Sequence, residues 1–125
     1  MKLIQESIFN FCFQRDNKLI IKDNSDVKQV ELCHITHITC HGYLSKVHTI
    51  QNNFISTIRT LKSFEIELYR FGFLRANRNT VVNMLHAFEI NHNSKTRIIK
   101  IREKEINISR RKFRLFKAFI YNYNK

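Results

Sequence analysis

Phe73-Leu74-Arg75-Ala76-Asn77-Arg78-Asn79-Thr80-Val81-Val82-Asn83 is the stretch on which the reading of this chain turns. It sets two arginines and three amides around a short apolar run. Just upstream, Leu61, Phe64, Leu68 and Phe71 recur at i, i+3, i+7 and i+10, one face of a helix. Ser56 or Thr57 can cap the start of that helix, and Gly72 lies where a C-terminal cap glycine belongs. The helix therefore delivers the chain directly into the 73–83 stretch. Downstream, strands are expected near 87–90, 96–102 and 105–108, with turn chemistry at 91–94. A last helix runs from Ser109, its expected N-cap, to about Tyr121, with Phe113, Phe116 and Ile120 as its apolar face.

Working toward the N-terminus, 17–22 and 27–32 read as strands about the turn residues 23–26. Further strands are expected at 35–40 and 43–50, joined by His41-Gly42, and a short one at Phe54-Ile55 after Asn52-Asn53. Many short strands with two short helices define a mainly β domain, with no pair of helices joined by a short turn. The length, 125 residues, fits one domain, and 43% hydrophobic residues with 11 Phe can build a core. Residues 1–16 form a separate N-terminal segment whose Ile8, Phe9, Phe11 and Phe13 can pack on the domain or on a second copy. The domain itself spans 17–121, and 122–125 form a tail.

Charge narrows the partners. The chain carries a net +12, and residues 70–125 hold +11 of it. A half this basic matches a polyanion, and nucleic acid gains affinity by releasing counterions when its phosphates are neutralised. Cys12, Cys33 and Cys40 are an odd set without a CxxC pair, which speaks against a secreted disulfide framework and for a reducing cytoplasm. Apolar runs are too short to span a bilayer, and the first residues lack a signal-peptide pattern.

The 73–83 stretch resembles the LytTR family of DNA-binding domains, in which the pattern F-x-R-x-H-R-S-x-x-V-N recurs. Phe73, Arg75, Arg78, Val82 and Asn83 fall on that pattern, while Asn77 stands for its His and Asn79 for its Ser. Val30-Glu31-Leu32, Gly42-Tyr43, the 58–63 segment and Ile108-Ser109-Arg110-Arg111 follow the family in order. The resemblance implies an elongated multi-sheet domain that places loops in successive major grooves of double-stranded DNA. It implies a bacterial, cytoplasmic transcription regulator and effector domain of a response regulator, bound to paired repeats; a monomer or weak homodimer in solution is the expectation that goes with it. No receiver domain or membrane segment is read in these residues, so a stand-alone regulator and the C-terminal part of a longer one both stay open.

Three groups carry the expected binding chemistry. Arg78 can hydrogen-bond a guanine edge with two parallel donors, and Asn77 and Asn79 an adenine edge, although such amides also satisfy loop backbone. Arg110 and Arg111 fall in the first turn of the last helix, where cations are unfavourable and a phosphate would relieve them; by resemblance, Arg78 and Arg111 fall on contact positions. Beside the His41-Gly42 turn, Tyr43 can meet a phosphate or sugar and Lys46 adds charge. The run Cys33-His34-x-x-His37-x-x-Cys40-His41 looks metal-like. On a strand, however, Cys33 and His37 would stand about 13 Å apart and Cys40 would face the other way, so no metal and no cofactor is expected. Glu65, Glu67, Glu89, Glu103 and Glu105 read as solvated positions. No catalytic motif or small-molecule site is evident. The alternatives are a non-specific or RNA-binding basic protein and, further off, a histidine-based ribonuclease.

Overall fold

The structure is a computed structural model that describes residues 2–3, 17–23 and 25–123. Eleven strands and two helices are placed among these residues: β1 (Lys2–Leu3), β2 (Lys18–Asp23), β3 (Asp26–Glu31), β4 (Ile35–His41), β5 (Leu44–Thr49), β6 (Phe54–Thr57), α1 (Leu61–Leu68), β7 (Phe73–Asn77), β8 (Thr80–Asn83), β9 (Ala87–His92), β10 (Arg97–Ile101), β11 (Lys104–Asn107) and α2 (Arg110–Tyr123). They form a five-stranded sheet in the order β6-β5-β4-β8-β7, a four-stranded sheet β1-β9-β10-β11 and the hairpin β2-β3. All pairings are antiparallel. Mainly β with two helices is thus the observed class. Ile8, Phe9, Phe11 and Phe13 lie outside the described residues.

The 73–83 stretch is a hairpin shared by two cores. Side chains alternate across a strand, so Phe73 and Val81 face one way and Leu74 and Val82 the other. Phe73 and Val81 join Leu19, Ile38, Val47, Leu61, Phe64 and Leu68, a core roofed by α1 and β2-β3. Leu74, Ala76 and Val82 join Met84, Ile90, Ile99, Phe116 and Ile120, a core roofed by α2 and the four-stranded sheet. A strand pair buried on both faces needs apolar residues at adjacent positions, which Phe73-Leu74 and Val81-Val82 supply.

Local chemistry shifts several expected boundaries. Ser56 and Thr57 belong to β6, and Thr60 caps α1 by accepting from the Ser63 N–H. The ring of Phe71 extends the helical face from a 3₁₀ turn (Tyr69–Phe71), and Gly72 closes it with φ 87°. Leu32 leaves the expected strand for a second 3₁₀ turn, Leu32–His34. Asn91 and His92 continue β9 instead of turning. Ser109 does cap α2, its Oγ accepting from the Lys112 N–H.

Two of the glutamates read as solvated are not. Glu89 is 8% exposed and pairs with Lys100 at 3.0 Å. Glu65 sits between Arg75, at 2.8 Å, and Lys112, at 3.6 Å. Each follows the rule that a carboxylate taken from water needs a cation beside it.

Candidate nucleic-acid interface

Three segments meet at one end of the five-stranded sheet. The β4–β5 turn consists of Gly42 and Tyr43, and its tightness requires the positive φ of Gly42, 65°. Tyr43 is 81% exposed there. β4 and β8 are antiparallel neighbours, with Thr39 opposite Thr80, so the β7–β8 turn emerges beside the β4–β5 turn. The Cys40 N–H donates to the Asn79 carbonyl at 2.9 Å and ties the two turns together.

The β7–β8 turn is also tied to α2. The register slips between Arg75 and Asn77, leaving Ala76 as a bulge. A bulged residue drops out of the ladder, and the Ala76 carbonyl instead accepts from the Ser109 N–H at 2.8 Å. Asn77 donates through Nδ2 to the Asn107 carbonyl at 2.7 Å and accepts the Asn79 N–H at 2.8 Å through Oδ1. Its amide is therefore spent on closing the turn. Arg78 and Asn79 at the tip are exposed.

Arg110 and Arg111 are exposed in the first turn of α2, which holds no acidic residue. Neither they nor Arg78 pair with a carboxylate among the described residues. Arg59, Arg75, Lys100 and Lys112, by contrast, all have acidic partners. Five of the seven expected site residues, Tyr43, Arg78, Asn79, Arg110 and Arg111, thus line one edge, with Asn77 beneath them. Lys46 stands apart: its ammonium lies over the Phe54 ring, 4.6 Å from the centroid.

Sequence reading missed Arg75 as part of this edge. Its Nε donates to the Asn77 carbonyl at 2.9 Å and its Nη2 to the Arg78 carbonyl at 2.6 Å. No sequence spacing announces such bonds, because the bulge re-aims the side chains around it.

His37 and His48 do not form an acid–base pair. The His37 and His48 rings stack at 4.2 Å, 3° from parallel, beside a cleft of about 900 Å³ between β4–β5 and the β10–β11 turn. Burial, with the neighbouring His48 charge second, pushes His37 down to about 3. Burial, then Lys104, brings His48 to about 4. Both rings are neutral near pH 7, so neither can serve there as the protonated acid that ribonuclease chemistry needs.

The unfolded chain takes up protons near 6.5 that folded His37 refuses until about pH 3. Stability is therefore full above pH 6.5 and falls as pH drops through that window, by on the order of 3 kcal/mol at pH 4. Urea titrations at pH 7 and pH 4.5 should show the loss, and His37→Gln should reduce it, leaving the share that His48 carries. A pH-independent midpoint for the natural protein would contradict this.

Cys33 and His34 occupy a 3₁₀ turn, not a strand, so the strand-spacing argument does not apply to them. With Glu31 they bring three potential ligand atoms within 4.8 Å of one another. Glu31 and His34 already pair, at 3.3 Å.

The fold and this edge define a β-sheet domain with loops and a helix start converging as one cationic surface. The family model of the LytTr DNA-binding domain matches residues 25–121, and the chain belongs to that family. A solved structure with the same fold is the LytTr DNA-binding domain of a methyl-accepting/DNA response regulator from Bacillus cereus. It is 16% identical, with a TM-score of 0.69, over 82% of this chain and 95% of that one. No curated protein matches the chain. The family is a DNA-binding one and not a catalytic one. Among the described residues, no helix is long and apolar enough to cross a membrane.

Proposed function

We propose that this domain recognises a specific double-stranded DNA sequence in the major groove and thereby regulates transcription in a bacterial cytoplasm. The observation that carries the reading is the edge itself. Arg78 projects from a turn whose backbone is held on both sides, next to two exposed arginines at a helix N-terminus. An exposed guanidinium on a fixed turn backbone suits bidentate base readout, and the α2 start suits a phosphate. Asn79 is placed to reach a neighbouring base, while Asn77 acts by shaping the turn. Tyr43 and Lys46 supply backbone contacts, Lys46 by swinging from Phe54. One copy offers only three short segments, too few to select one site from a genome, so two copies are expected on paired repeats. The shared duplex raises their local concentration, and self-association in solution need only be weak.

Arg78→Ala tests the central contact. It should cost about 1–3 kcal/mol on the preferred duplex and relax discrimination at one base pair. Competition binding against a random duplex reads both effects. An equal loss on the two duplexes would reduce Arg78 to a phosphate contact.

A further inference from the structure

A carboxylate stands behind the cationic edge, where phosphate attraction alone would place none. Glu65 lies on α1, its side chain 22% exposed, and it faces Arg75 of β7 and Lys112 of α2. We propose that Glu65 is a positioning residue for DNA recognition, acting through Arg75 on the turn that presents Arg78 and through Lys112 on the helix start that presents Arg110 and Arg111. The inference rests on the duplex-recognition reading above and adds to it the residue that sets the geometry.

The route is short and every link is a close contact. Arg75 donates from all three of its nitrogens. Nη1 meets Glu65 Oε1 at 2.8 Å, Nε meets the Asn77 carbonyl at 2.9 Å, and Nη2 meets the Arg78 carbonyl at 2.6 Å. A guanidinium is planar and rigid, so fixing one edge on Glu65 aims the other N–H groups at those two carbonyls. The peptide units on both sides of the Arg78 Cα are then held, and with them the direction in which its side chain leaves the turn. The second oxygen of Glu65 reaches Lys112 Nζ at 3.6 Å, in the first turn of α2. One carboxylate therefore registers α1, the β7–β8 turn and the α2 start against one another. Base readout depends on such registration, since a contact group must be held to within about 0.5 Å of its productive place.

The sign of the charge makes the proposal testable. Glu65→Ala raises the net charge by one, and alanine is the best helix former, so α1 is not weakened. Attraction alone then predicts tighter binding to every duplex. Positioning predicts about a tenfold loss on the preferred duplex, with random duplex bound as before or more tightly. Arg75→Lys keeps the charge but loses the fork, and it should show the same selective loss. Fluorescence anisotropy on both duplexes, with thermal melts of each variant, reads this out. Full retention of preference by both variants would overturn the positioning role. So would a uniform loss on both duplexes, which marks general structural damage. A natural protein without any preference for duplex sequence would instead sink the recognition reading on which the proposal stands.

Discussion

Asn83→Ala is expected to destabilise the domain by about 2–4 kcal/mol, from the groups it leaves unsatisfied. Asn83 is fully buried. Its Nδ2 donates to the Leu32 carbonyl at 3.1 Å and the Ile35 carbonyl at 2.8 Å, and its Oδ1 accepts from the Leu85 N–H at 3.0 Å. One side chain thus splices the 3₁₀ turn before β4 to the one after β8. The Leu32 carbonyl keeps a second donor in the Ile35 N–H. The loss therefore falls on the Ile35 carbonyl, which is buried, and on the part-buried Leu85 N–H. Asn83→Asp should be worse, because a carboxylate would face two carbonyl oxygens. Urea denaturation measures the effect, and a variant within about 0.5 kcal/mol of the natural protein would show that the splice contributes little.

Salt should have the largest effect on binding. Glu65, the carboxylate behind the interface, is already engaged with Arg75 and Lys112. Arg78, Arg110 and Arg111 remain for phosphate and base, and Arg114 continues the exposed cationic face of α2. If two lysine-borne contacts join them, five or six phosphates are neutralised. Raising salt from 50 to 200 mM should then weaken duplex binding on the order of a thousandfold. Anisotropy titrations across that range read the slope directly. A response of less than about threefold would mean that the basic half does not lie on the phosphates.

Much of this architecture was legible in the sequence, and the reasons are local. At 73–74 and 81–82 the stretch is apolar at consecutive positions because both faces of its hairpin are buried. The Leu61, Phe64, Leu68 face and the Phe113, Phe116, Ile120 face both lie inward, wholly or in part, at their helical spacing. Gly42 and Gly72, the chain's two glycines, both sit at positive φ where a turn needs it. What escaped were relations between elements. Glu65 looks solvated by helix spacing until β7 brings Arg75 beside it. Thr60 outcompetes Ser56 and Thr57 as a cap because β5 recruits those two into a strand. Asn77 carries base-reading chemistry in the sequence, yet the bulge at Ala76 turns its amide onto the Asn107 carbonyl. Arg78, Asn79, Arg110 and Arg111 were found by residue type, but only the Ser109-to-Ala76 bond shows that a turn and a helix start far along the chain form one edge.

The most direct test of sequence-specific duplex recognition is selection from a randomised duplex pool. Binding is then compared at one fixed salt concentration on the selected duplex, a scrambled duplex, the selected single strand and the matching RNA. The account predicts a defined pair of repeats, bound about a thousandfold more tightly than the scrambled duplex and in preference to both other nucleic acids. A pool that yields no consensus, with equal affinity for duplex, single strand and RNA, would contradict it.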